Sequence, residues 1–249
     1  MCNWQITIKL NALISASVLF GIAANGSAEF SSFRARGEKY DALECRPKGD
    51  APFPVVVYNH GSIVDAVGFA KARDLGNRLD EICSRLAADG FLAFFPIREK
   101  INTGRGYADY QPYYNDVVNA AIDHLKALSS VDKGKINLMG HSMGGLVSLL
   151  VAEERKDLRS LVVSAPASKN KEFGSSVYYA SEINVPVLVM VERGDANHIQ
   201  KGINDLEAAF KKHNKLATVI RYDRGGGHNL FFTVDYYWPD VAKFLKTNN

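Results

Sequence analysis

Serine 142 sits in Gly140-His141-Ser142-Met143-Gly144, directly after the apolar run Ile136 to Met139 and directly before a second apolar run. A hydroxyl there, flanked by glycines, matches G-x-S-x-G at a strand-to-helix turn. Serine alone is a poor nucleophile near neutral pH, so the chemistry demands a histidine base and a carboxylate to orient it. Later residues supply both types. Asp195 follows the apolar stretch VLVMVE, and His228 follows LATVIRYD and three glycines. If those stretches are parallel strands, all three side chains fall at the same sheet edge.

The glycines have a mechanical reading. A nucleophile at the tip of so tight a turn occupies strained backbone, and side chains at 140 and 144 would collide with the neighbouring strand and helix. The helix starting beside Ser142 points its positive end at any negative charge that develops there. Upstream, Asn59-His60-Gly61-Ser62 ends another apolar run. The backbone N–H groups of Ser62 and Met143 are the expected oxyanion donors, because neither depends on a particular side chain. Two other carboxylates compete with Asp195 for the orienting role: Glu192, three residues earlier, and Asp223, before the His228 loop. His60, His124, His141, His198 and His213 read as structural or surface residues, with His141 beside the site by adjacency. Arg98, Lys100, Arg105, Tyr107, Tyr110, Tyr113 and Tyr114 form a loop that either lines a pocket or packs on the helix that follows.

These residues need elements to hold them. PFPVVVYN, FLAFFP, INLMG, LRSLVVS, VPVLVMVE and LATVIRYD read as strands covered on both faces, preceded by EKYDALEC. LGNRLDEICSRLAADG, NDVVNAAIDHLKAL, SMGGLVSLLVAEE, INDLEAAFKKH and VDYYWPDVAKFLK carry apolar residues at helical spacing. Alternation of this kind predicts an α/β domain with a mostly parallel central sheet and helices on both faces. The insertion between LRSLVVSAP and VPVLVMVE spans only about 20 residues, too few for a large lid. The net charge of +3, from 30 basic and 27 acidic side chains, carries no block of one sign. That argues against a nucleic-acid partner and for a small-molecule substrate.

The first residues differ from the rest. Lys9 precedes a 15-residue apolar stretch, Leu10 to Ala24, and Gly26 and Ala28 sit at −3 and −1 of a cut before Glu29. The stretch is shorter than the roughly 20 residues of a membrane span. The expectation is a signal peptide over residues 1–28, a domain over 29–249, no stable membrane anchor after cleavage, and a secreted or periplasmic location. Cys45 and Cys83 then remain as a pair that an oxidising compartment either joins or leaves as thiols.

The HGS of 60–62, GHSMGG of 140–145, the post-strand Asp195 and the pre-helix His228 together resemble the α/β-hydrolase family. Within it the chain is similar to the compact serine hydrolases around dienelactone hydrolases and small esterases. The resemblance covers essentially all of 29–249, and its residue order is serine, acid, histidine. It implies hydrolysis of small carboxylic esters through an acyl-enzyme, with no metal and no organic cofactor. Amide or peptide hydrolysis and acyl transfer use the same triad, and a non-catalytic binding protein is the remaining alternative. The chain departs from the pattern twice. Dienelactone hydrolases proper carry cysteine where Ser142 stands, and a small His-Gly pair usually stands at Val191 and Glu192.

Overall fold

A computed structural model of the chain describes residues 27–98, 111–169 and 171–249. The expected leader up to residue 26 and the loop residues Lys100, Arg105, Tyr107 and Tyr110 lie outside them. An eight-stranded sheet has the order β1-β2-β4-β3-β5-β6-β7-β8. Its strands are β1 (Glu29–Ala35), β2 (Glu38–Cys45), β3 (Phe53–Asn59), β4 (Leu92–Pro96), β5 (Val131–His141), β6 (Ser160–Ser164), β7 (Val187–Glu192) and β8 (Ala217–Tyr222). From β4 to β8 every neighbouring pair is parallel, while β2 runs antiparallel to both β1 and β4.

The helices are α1 (Ser62–Val67), α2 (Phe69–Asp74), α3 (Leu79–Ala88), α4 (Gln111–Ala127), α5 (Met143–Glu154), α6 (Lys171–Tyr178), α7 (Asn197–Lys212) and α8 (Trp238–Thr247). Every residue of β4, β6 and β7 is buried, as their unbroken apolar sequences require. In α5 the run from Met143 to Ala152 is buried throughout, so this helix threads the core and meets solvent only at its C-terminal end.

The register positions the site. Asn59 aligns with Gly140, His141 with Ser164, Ser164 with Met190, and Glu192 with Tyr222. The carboxyl ends of β3, β5, β6, β7 and β8 therefore come out along one edge. After β3 the chain crosses to β4 on one side and then to β5 on the other, which opens a crevice between the ends of β3 and β5. Ser142 and Gly61 stand on its two lips.

Three features depart from the sequence reading. Residues 29–35, to which the sequence reading gives no element, form β1, in which only Phe33 and Ala35 turn inward. Arg36 and Gly37, both at positive φ (54° and 81°), make the two-residue turn into β2. The stretch after Ser62 holds two short helices, and α8 starts only at Trp238, after 3-10 turns. Cys45 at the end of β2 and Cys83 in α3, a pair the sequence leaves open, are joined as a disulfide, with Cα atoms 5.6 Å apart across a separation of 38 residues.

Closing a loop of that length restricts the unfolded chain by about 3–4 kcal/mol. Cys45→Ala/Cys83→Ala is therefore expected to lower the unfolding free energy extrapolated from urea titration by about that amount, seen as a lower midpoint, without changing the native circular dichroism. An unchanged midpoint would show that the bridge contributes nothing to stability.

Candidate active site

Ser142 occupies the turn between β5 and α5 at φ 56° and ψ −119°. Such a conformation costs a non-glycine residue about 1–3 kcal/mol and persists only when its surroundings hold it. Here the Ser142 N–H donates to the Ser164 carbonyl at 3.0 Å, and the Ser142 carbonyl accepts from Ala167 at 2.9 Å and Leu146 at 3.2 Å. The flanking glycines are sterically required. A Cβ on Gly140 would lie 2.3 Å from the Gly144 carbonyl oxygen, and one on Gly144 would lie 1.8 Å from that of Asn59.

The two expected partners converge on this serine. Asp195, three residues past β7, and His228, in a 3-10 turn over Gly227–Phe232, meet it in one hydrogen-bonded line. His228 Nδ1 lies 2.9 Å from Asp195 Oδ2, and His228 Nε2 lies 2.9 Å from Ser142 Oγ. A carboxylate only accepts, so the ring proton sits on Nδ1 and donates to Asp195. Nε2 is left to accept the serine O–H. The Asp195 side chain is 2% exposed and that of His228 35%, so the carboxylate is dry while the imidazole is partly open to solvent. Asp195 Oδ1 accepts from the Ala196 N–H at 2.7 Å, which holds the carboxylate plane.

The rival acids are placed elsewhere. Glu192 is buried at the end of β7, and its carboxylate accepts from the backbone N–H of Gly194 at 2.5 Å and of Gly225 at 3.1 Å. It thus ties the Asp195 loop to the glycine run before His228. The side chain of Asp223 is exposed. His141 is buried, with its ring centroid 4.8 Å from that of His228 and 5.3 Å from that of Phe231. Burial first, and the neighbouring His228 second, push His141 down to about 3. It is a neutral wall for the base.

Met143 and Ser62 are the first residues of α5 and α1, so their N–H groups stand at the positive ends of two helices. Gly61 brings the second of these close to Ser142: a Cβ there would lie 3.4 Å from Ser142 Cβ. Arg98 does not line a pocket. It is buried in an ion pair with Asp65, a residue that nothing in its local sequence marks. Tyr114 is also buried, and Tyr113 is exposed with Arg36 over its ring at 3.6 Å. A groove of about 950 Å³ between α6 and α7 touches none of Ser142, Asp195 and His228, so hydrogen bonding and not cavity size locates the site.

A profile of the dienelactone hydrolase family matches residues 40–236. The chain belongs to that family. It is 25% identical over 244 residues to an Escherichia coli (strain K12) protein provisionally named a carboxymethylenebutenolidase, covering 88% of this chain and 86% of the relative. A bis(hydroxyethyl) terephthalate hydrolase of Streptomyces coelicolor is 30% identical over 139 residues, covering 54% of this chain and 40% of that protein. Among solved structures, a Pyrococcus furiosus esterase superimposes with a TM-score of 0.70 at 15% identity, covering 89% of this chain and 91% of that one. At that identity the likeness establishes the fold.

The geometry separates the acids by experiment. Asp195→Asn is expected to lower kcat on the order of 10⁴-fold, because an amide favours the wrong imidazole tautomer. Glu192→Gln forfeits about one hydrogen bond and is expected to cost no more than about tenfold. Steady-state kinetics on the two folded variants checks this, and the reverse ranking would make Glu192 the orienting acid.

Proposed function

We propose that this family member is an exported serine hydrolase that cleaves small carboxylic esters through Ser142, His228 and Asp195. The observation that carries the proposal is the unbroken Asp195–His228–Ser142 hydrogen-bond line on a strained elbow. In the proposed reaction His228 Nε2 takes the serine proton as Oγ attacks the ester carbonyl carbon. The carbonyl oxygen becomes an oxyanion, which the N–H groups of Met143 and Ser62 receive. The imidazolium, stabilised by Asp195, returns its proton to the departing alcohol and leaves an acyl-serine. Water, deprotonated by the same nitrogen, then releases the acid and regenerates the serine.

Several facts support an ester substrate of modest size. The relatives named above include a terephthalate ester hydrolase, and a Thermobifida fusca cutinase is 29% identical over 106 residues. Between β6 and β7 the described residues form only the eight-residue α6 and one 3-10 turn, so this connection supplies no large apolar lid. Export is supported by the order of charged, apolar and small residues before Glu29 and by the Cys45–Cys83 bridge, since disulfides persist in oxidising compartments.

Ser142→Ala is expected to abolish turnover of an aryl acetate while leaving the thermal melt in place; near-wild-type turnover would refute the assignment. In the wild-type protein, kcat/KM is expected to rise with pH on the acid limb, because the proposed general base must be neutral to take the serine proton. His141 and His60 stay neutral down to about 3 and about 4. The acid limb above pH ~5 should therefore follow a single ionisation, with a limiting log–log slope of about one. A slope near two would mean that a second histidine takes part.

A further inference from the structure

Under the loop that follows β3 lies a buried charged cluster that touches none of the triad. The side chains of Arg98 and Asp65 are 1% and 0% exposed. They pair as a fork, Nε to Oδ1 and Nη2 to Oδ2, each at 3.2 Å. The Arg98 Nη2 also donates to the carbonyl of His60, and the Arg98 backbone N–H donates to His60 Nε2 at 3.1 Å. On the other side the ring of Tyr114 lies over the guanidinium, 4.6 Å from Cζ.

These contacts decide the state of His60. Because Nε2 accepts from a backbone amide, the neutral ring carries its proton on Nδ1, which donates to the carbonyl of Gly61 at 3.1 Å; the Arg98 Nη2, 3.0 Å from the same Nδ1, meets it as a second donor and makes no hydrogen bond to it. Burial, with the Arg98 charge adding to it, pushes His60 down to about 4 against the opposing pull of Asp65. The neutral Nδ1–H form is the one that can make both bonds. Burying an ion pair under a loop is an expensive way to stabilise a fold, since desolvation consumes most of the attraction. The arrangement specifies direction instead.

A trans peptide is planar, so its C=O and N–H point in opposite senses. The Gly61 carbonyl is fixed by His60 Nδ1 and, at 3.2 Å, by the N–H of Val64. The N–H on the same peptide plane belongs to Ser62, and it is thereby turned away from the cluster. The preceding peptide is fixed too, through the His60 carbonyl on Arg98. Gly61 itself lies against the nucleophile.

We propose that His60, locked by Arg98 and Asp65, is a positioning residue that sets the plane of the Gly61–Ser62 peptide and so aims the Ser62 N–H at the oxyanion; this rests on the reading of Ser142 as the nucleophile. A device of this kind acts in the transition state and leaves ground-state binding nearly untouched.

The test compares His60→Leu with His60→Asn, whose side-chain amide can reproduce the Nδ1–H donor. Each variant is assayed on an aryl acetate and on its thionoacetate analogue, in which sulfur replaces the carbonyl oxygen and accepts hydrogen bonds weakly. His60→Leu is expected to lower kcat for the oxygen ester by about 10²-fold with KM changed less than about threefold. Its oxygen-to-sulfur rate ratio should fall by at least about tenfold, because only the oxygen ester relied on the donor. His60→Asn is expected to recover most of both losses. Thermal melts establish that each variant is folded, and Arg98→Lys, which loses the fork, serves in the same assays if His60→Leu does not fold. Unchanged kcat in a folded variant overturns the proposal. So does a loss of kcat with an unchanged oxygen-to-sulfur ratio, which would make the cluster a scaffold only. If wild-type turnover does not depend on Ser142, the nucleophile reading fails first and the proposal falls with it.

Discussion

The carbonyl oxygen of Asn59 leaves no room for a side chain at Gly144, where a Cβ would lie 1.8 Å away. Through that contact the first turn of α5 presses directly on the end of β3. The elbow and the HGS loop are thereby brought to the two sides of one crevice. The side chain of Asn59 reinforces the contact by donating to Ser148 Oγ at 2.8 Å, and Ser148 in turn donates to the Gly144 carbonyl at 2.8 Å. With β5 and α5 held so close to β3, the strained Ser142 has only one place to stand. The parallel register of β7 and β8 then delivers the acid and the base to it. Backbone-to-backbone packing fixes the geometry here, and the side chains of Ser142, Asp195 and His228 are set on that frame.

A second layer of buried polar groups keeps the loops in register with that frame. Glu192 joins the loop carrying Asp195 to the glycine run before His228, and its own backbone carbonyl accepts from Gln200 at 2.6 Å. On the opposite side Arg98 and Asp65 hold His60. Neither group touches the reacting atoms in the scheme above. Both spend a buried charge to orient backbone amides, which low-dielectric surroundings make effective. The neutral His141 packed on His228 fits the same logic, since a charged neighbour there would oppose formation of the imidazolium.

Much of this was legible in the sequence, and the unreadable part has a common cause. Ser142, Asp195 and His228 announce themselves locally, each by its position just past an apolar strand, and Gly140 carries its steric reason within five residues, whereas that of Gly144 is the distant carbonyl of Asn59. His60 and Arg98 were visible as residues but not as partners, because 38 positions separate them and Asp65 carries no motif. Glu192 read as a competing acid, since sequence shows its distance from Asp195 but not the amides that occupy its oxygens. The Cys45–Cys83 bridge depended on a Cα separation that only the fold supplies. β1 was hidden because half of its alternating pattern faces solvent, with Phe30 62% exposed.

The most direct test of the central claim, that Ser142 is the activated nucleophile of a preorganised triad, is intact and peptide mass spectrometry after treatment with a fluorophosphonate. The account expects one equivalent of adduct, on the peptide containing Ser142, forming many times faster than in Asp195→Asn. An unlabelled protein, or an adduct on another residue with Ser142 free, would contradict it.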